Sequence, residues 1–395
     1  MPVLNRIAEF HADMTAWRHH LHAHPETAFE EHGTAEFVAE KLASFGIEVH
    51  RGLAGTGVVG TIKGGKGPGR AIGLRADMDA LHVVEKNGFA HRSQNAGRMH
   101  ACGHDGHTTM LLGAARYLAE TRGFAGTVHV IFQPAEENEG GGRVMVQEGL
   151  FDQFPVDAVF GMHNWPGQSV GTIAVRPGPM MAAYDVFELK VQGRGSHGAM
   201  PHDGIDPVVT AAEIVTALQT IASRNTNPLD AVVVSVTQIH GGDTWNVIPD
   251  EVVLRGTCRA FRPEVQDTIE PAIRRVAGGV SAALGATFEL KYERRYPPTI
   301  NSEAETARAQ AAAAKVVGAE NVIRDPVPSM GSEDFAFMLQ ARPGAYVWLG
   351  NGPQAGGCGL HNPHYDFNDA ILPLGASYWV QLVETMLGDG AGRHT

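Results

Sequence analysis

The chain has 395 residues, 43% of them apolar, and a formal charge of -12 at neutral pH. That length and apolar content suit a globular protein of two domains needing no disulfide staples, and the acidic balance excludes nucleic acid and anionic membrane surfaces as main partners, since both select basic patches. Three widely spaced cysteines, Cys102, Cys258 and Cys358, form no disulfide framework; with no apolar leader and no transmembrane run, the cytoplasm is the expected location.

Ile7, Phe10, Met14, Trp17 and Leu21 recur at helical spacing until Pro25 stops them. His19, His20, His22 and His24 lie on the last turn of that helix, where the dipole favours them, and read as caps rather than ligands. A second helix runs from Thr34 to about Ser44 and closes at Gly46. Apolar runs at 57–62 and 71–74 read as strands. The second leads into Arg75-Ala76-Asp77-Met78-Asp79, whose two acids stand where α/β sheets bind ligands, or cap a loop.

Met99-His100-Ala101-Cys102-Gly103-His104-Asp105-Gly106-His107 follows. A thiol and an imidazole on either side of Gly103 converge in a tight turn, and such donors suit zinc and its first-row neighbours. Alone, the pair is better explained as a buried thiol beside surface histidines; the remaining segments reverse that. A helix at 108–121 and a strand at 128–133 lead to Pro134-Ala135-Glu136-Glu137-Asn138-Glu139. Helix and strand alternate, which predicts a largely parallel sheet covered on both faces. In extended backbone Glu136 and Glu137 point opposite ways, so one can hold a metal while the other faces water; a solvated acidic loop is the alternative. A strand at 158–161 delivers Met162-His163-Asn164 to the same edge.

The pattern changes near Met181. Strand 185–191, helix 207–223, strands 231–239 and 252–261, helix 263–284 and strand 287–292 follow in order. This βαββαβ sequence predicts an inserted α+β, ferredoxin-like domain at 182–296, with 1–181 and 297–395 forming the other domain. Its polar loops hold His197, His202 and Asn246, which turn chemistry leaves unexplained. Then come an alanine-rich helix at 303–317, Gly331-Ser332-Glu333-Asp334-Phe335 opening a short helix, a strand at 345–349, the segment bearing His361, and a closing helix to about Met386.

RADMDAL at 75–81, MHACGHDGH at 99–107, QPAEE at 133–137, GMHN at 161–164, GRGSHGAMPH at 193–202, NVIP at 246–249, GTCRAF at 256–261, GSEDF at 331–335 and LHNPHYDFND at 360–369 stand in this order. Together they resemble the amidohydrolase branch of the M20 metallopeptidase family, home of hippurate hydrolases, N-acyl-L-amino acid amidohydrolases and plant auxin-conjugate hydrolases. The resemblance implies an α/β, mostly parallel-sheet metallohydrolase domain, the inserted domain serving as lid and dimerisation surface. It implies two divalent ions (Zn, Mn, Co or Ni) on Cys102, His104, Glu137, His163 and His361, with Glu136 as general base for the attacking water. His197, or else His202, and Asn246 would serve the oxyanion, and Arg259 the substrate carboxylate. Asp79, His100 and Asp105 would orient ligands.

The implied reaction hydrolyses N-acyl amino acids to a carboxylic acid and a free amino acid. A dipeptidase or carboxypeptidase of the same family is the alternative, and a non-catalytic conjugate-binding protein, which would be expected to lack Glu136, a remote third. A homodimer is expected, a tetramer being the other option. The chain departs from the family in having Asp77-Met78-Asp79 where many members carry His-x-Asp, His82 where Pro is common, and Gly198 where Ala is commoner.

Overall fold

A computed structural model describes residues 3–353 and 358–388. The chain divides into two compact units, one of Met1–Met180, Ile300–Val327 and Asp334–Thr395, the other of Met181–Thr299 and Pro328–Glu333.

The first unit is built on an eight-stranded sheet ordered Glu48–Leu53, Gly57–Lys63, Thr127–Gln133, Ala71–Asp77, Ala158–Pro166, Gly344–Gly352, Ile173–Ala174, Val322–Ile323. Its four central strands run parallel, and Glu48–Leu53 and Gly57–Lys63 form an antiparallel margin. The central strands are buried almost end to end on both faces, as a parallel sheet covered by helices requires. Glu48–Leu53 escapes sequence reading because it is mostly exposed and lacks apolar alternation. Asp77 and His163 lie within their strands rather than beyond them.

Helix His104–Thr121 is buried along most of its length through Met110, Leu111, Leu112, Ala114, Ala115 and Leu118, and packs against the closing helix Leu372–Leu387. It starts four residues before the predicted Thr108, so His104 and His107 share its first turns. Two glycines make this start possible. Gly103 precedes it at φ 97°, a left-handed conformation that glycine adopts without strain. At Gly106 an added Cβ would fall 2.2 Å from the Phe367 ring, so glycine alone lets the 360–369 loop press onto this end of the helix.

The second unit carries an antiparallel sheet ordered Val232–His240, Glu251–Ala260, Tyr184–Gln192, Thr287–Tyr296. Burial alternates strictly along Tyr184–Gln192, so Phe187, Leu189 and Val191 face a core shared with helices Pro207–Thr220 and Pro263–Ala283. Asp206 caps the first of these helices by accepting the Val208 and Val209 N–H groups. Pro328–Glu333, which its sequence position assigns to the other domain, groups with this unit because the Ala182 N–H donates to the Ser329 and Gly331 carbonyls. Among the described residues all three cysteines are free thiols, and no helix is long and apolar enough to cross a membrane.

Candidate metal centre

Four segments of the first unit converge. The start of helix His104–Thr121 supplies His104 and the turn before it Cys102; strand Thr127–Gln133 leads into Glu136 and Glu137; strand Ala158–Pro166 supplies His163; and the 360–369 loop supplies His361. His361 adopts φ 65°, and its N–H donates to the Ala101 carbonyl at 2.7 Å, which ties the loop to the cysteine segment. The donor atoms of Cys102, His104 and His163 lie within 4.8 Å of one another, as do those of Cys102, Glu137 and His361, and those of His104, Glu136 and Glu137. Shared members join the three groups into one cluster. Cys102 Sγ stands 3.3 Å from His163 Nε2, and His361 Nε2 stands 3.1 Å from Glu137 Oε1.

The rings are aimed by their far sides. His104 Nδ1 donates to the Asp79 carbonyl at 2.9 Å and lies 3.2 Å from Asp79 Oδ1, and His163 Nδ1 donates to the Asn164 carbonyl at 2.6 Å. Both imidazoles therefore turn Nε2 toward the cluster. His104 Nε2 is buried without a hydrogen-bond partner among the described residues. Burying such an atom unsatisfied is costly, and a divalent cation bound to it removes the cost. Mixed sulfur, nitrogen and oxygen donors with Nδ1 tied behind fit a first-row metal.

The electrostatics point the same way. Burial, with Glu137, Glu136 and Asp77 adding, pushes the Cys102 thiol well up. Burial opposes a charged His104, but Asp77 and Asp79 outweigh it and push the ring up to about 10. Burial, helped by His107, holds His163 well below the usual range, the neutral form a ligand needs. This crowd of acidic groups calls for positive charge at its centre.

Asp79 is more than a ring orienter, since its Oδ2 also accepts the Glu137 N–H at 2.9 Å. Asp105 touches none of the candidate ligands directly; its carboxylate accepts from His22 Nδ1 at 2.8 Å and lies 3.7 Å from Arg18, which in turn bonds Asp366 and Asp369 at 2.8 and 2.7 Å. His100 is buried, with neither ring nitrogen hydrogen-bonded among the described residues. The histidines of helix His11–Ala23, which a break at Phe10 separates from the short helix Asn5–Glu9, depart from a capping role. His22 lies between Asp105 and Glu85, His19 stands 2.8 Å from Asp369, and among the described residues only His24 bonds its own helix, through the His20 carbonyl. Their partners are remote in sequence, so local spacing could not reveal them. Nor are Glu136 and Glu137 in extended backbone: they sit in a turn that follows Ala135 at φ 54°.

Six residues with no assigned role support the cluster. Asp77 Oδ1 accepts from His107 Nδ1 and Asp77 Oδ2 from Arg75 Nη1, both at 2.7 Å. Burial works against the Asp77 charge, yet His104, Arg75 and His107 hold it well below the usual carboxylate range. Arg75 also donates to Gln133 at 2.8 Å and Asp334 at 3.0 Å, while the Asn164 N–H donates to His107 Nε2 at 2.9 Å. The available signals were Asp77 closing a strand and His107 lying three residues beyond His104 on one helix face.

His197 and Asn246 belong to the second unit and neighbour each other. Ser196–His197 pairs with Val247–Ile248, the Gly198 N–H donates to the Asn246 carbonyl at 2.7 Å, and both side chains are exposed. His202 is exposed in the Pro201–Asp203 turn, 3.7 Å from Asp203. Arg259 lies over the Tyr184 ring at 4.2 Å, donates to the Met330 carbonyl at 3.2 Å and to Thr257 Oγ1 at 2.5 Å, and lines a cavity of about 650 Å³ within that unit.

The profile of Peptidase family M20/M25/M40 matches residues 73–385. The chain is 41% identical to N-acetyl-L-cysteine deacetylase of Bacillus subtilis over 364 residues, 92% of this chain and 85% of that protein. It is 38% identical to hippurate hydrolase of Campylobacter jejuni over 382 residues, 97% of this chain and 98% of that one. A solved structure from Bacillus subtilis, described as a dinuclear metal-binding peptidase of the M20 family, aligns with a TM-score of 0.84 at 36% identity, covering 96% of this chain and 99% of that chain.

Proposed function

Since the chain belongs to peptidase family M20/M25/M40, we propose that it is a two-metal amidohydrolase cleaving N-acyl amino acids, hippurate-like and N-acetyl substrates among them, to a carboxylic acid and a free amino acid. The observation that carries this is the convergence of Cys102, His163 and Glu137 on His104 Nε2, an atom with no hydrogen-bond partner among the described residues, with Glu136 beside them. Cys102, His104, Glu137, His163 and His361 would hold two divalent ions, with Zn, Mn, Co and Ni all compatible with the donor set. Such ions, when bound, acidify a water and polarise the scissile carbonyl.

The chain's own residues do the rest. Glu136 takes the proton of the attacking water as its oxygen bonds to the carbonyl carbon, then delivers that proton to the leaving amine nitrogen as the C–N bond breaks. His197, or else His202, and Asn246 would donate to the oxyanion. Arg259 offers its planar donors to the substrate α-carboxylate. Asp79 keeps the His104 ring and the Glu137 backbone in place.

We assign the protein to the cytoplasm, where a reduced Cys102 is maintained, and cell fractionation checks this. It acts as a homodimer through the exposed edges of the second unit's sheet, and sedimentation as a monomer at micromolar concentration would overturn that. The activity is tested by amino-acid release from N-benzoylglycine, N-acetyl amino acids and dipeptides with protein reloaded with Mn or Zn. Turnover of dipeptides alone moves the chain to a peptidase role. Silence on every substrate with metal bound leaves only a binding role.

A further inference from the structure

Glu31 is fully buried and belongs to none of the donor groups. Its Oε1 accepts two backbone N–H groups, from Ala135 at 2.9 Å and from Phe29 at 3.1 Å, while Oε2 accepts the Thr56 hydroxyl at 2.7 Å. Both N–H donors come from non-glycine residues in left-handed backbone, Ala135 at φ 54° and Phe29 at φ 60°. That conformation crowds Cβ against the backbone and persists only where surroundings enforce it. Ala135 is also the hinge of the turn that presents Glu136 and Glu137: strand Thr127–Gln133 ends just before it, and the Gly141 N–H returns to its carbonyl at 2.8 Å. Asn138 and Gly140 in the same turn have φ 70° and 72°. A turn so rich in left-handed residues would relax if its anchor were lost.

We propose that Glu31 is a positioning residue, which holds Ala135 left-handed and thereby sets where the Glu136 and Glu137 carboxylates point. It rests on the amidohydrolase reading for Glu136 as base and for Glu137 as ligand. Glu31 touches neither substrate nor any candidate ligand side chain; it acts through the Ala135 backbone.

The test compares Glu31→Ala, Glu31→Gln and Glu31→Ala combined with Ala135→Gly, in full-length protein loaded with Mn. With N-benzoylglycine, Glu31→Ala should lower kcat by about 10- to 100-fold with KM within about threefold, because the base is misaimed while substrate contacts persist. Metal release to a chelator should quicken by about tenfold or more, the usual scale when a group supporting a ligand is lost. Glu31→Gln should recover most of both losses, since its amide oxygen still accepts both N–H groups and its NH2 donates to Thr56 Oγ1. Adding Ala135→Gly to Glu31→Ala should recover part, because glycine adopts this φ unaided.

Wild-type kcat and wild-type metal release in folded Glu31→Ala protein would overturn the proposal. So would a Glu31→Gln variant as damaged as Glu31→Ala. If Glu31→Ala yields no folded protein, Ala135→Val strains the same turn with Glu31 intact and must show the same fall in kcat at unchanged KM. A wild-type enzyme inactive on every acylated substrate would refute the amidohydrolase reading alone, and metal release would still decide the role of Glu31.

Discussion

The same carboxyl should leave its mark on stability against pH. Burial lifts the Glu31 pKa from 4.5 to about 7, the Thr56 hydroxyl opposing and the Asp79 charge assisting. The folded state thus binds this proton more tightly than the unfolded chain does. The group's contribution is complete below pH 4.5 and is lost as pH rises through 7. At 1.36 kcal/mol per pH unit, the loss comes to about 3 kcal/mol. Glu31→Gln cannot titrate and escapes it. For a chain of this length the unfolding entropy is roughly 0.8 kcal/mol/K, and about 2.5 kcal/mol of the loss falls between pH 5 and pH 8, so the melting temperature of Glu31→Gln should gain about 3 °C on wild type over that interval. Scanning calorimetry on paired samples in EDTA reads the difference, the chelator removing the competition of metals with protons. A melting-temperature gap that stays constant with pH, or narrows as pH rises, would refute the desolvated carboxyl on which the calculation rests.

Glu136→Gln should lower kcat by about 10²- to 10⁴-fold and leave the metal content intact; a loss confined to KM would remove Glu136 from the role of base. Cys102→Ala should bring bound metal below two ions per chain by elemental analysis, and chelation of wild type should abolish activity until metal is restored; two tightly held ions in Cys102→Ala would contradict the ligand assignment. Arg75→Met takes the cation from between Asp77 and Asp334, both fully buried, and should cost about 3 to 5 kcal/mol, seen as a fall of roughly 4 to 6 °C in melting temperature. An unchanged transition would mean the pairs contribute little. Arg259→Met should raise KM for N-acyl amino acids about tenfold or more while sparing N-acyl amino acid amides, which lack the carboxylate; equal damage to both would show that it does not bind that group.

Much of the molecule was readable in the chain itself. Alternation along 185–191 and the apolar runs at 128–133 and 158–161 mark their strands, because a half-buried antiparallel strand and a fully buried parallel one leave different patterns. The chemical types gathered at Cys102-Gly103-His104, Glu136-Glu137 and His163 were equally visible, since parallel strands carry their ends to one edge and such donors are conspicuous there. The turn after Gln133 was not. Pro134-Ala135 carries no glycine to announce a left-handed residue, and what holds Ala135 there is a carboxylate 104 residues earlier. The same holds for His22, which meets Asp105 across 83 residues, and for Arg75, which meets Asp334 across 259. Local spacing determines which face of a helix or strand a side chain takes; which distant donor it meets is decided only when the sheet, the His104–Thr121 helix and the 360–369 loop close on one another. A buried carboxylate keeps its charge only if that closure supplies donors, and those donors are what the tertiary structure selected.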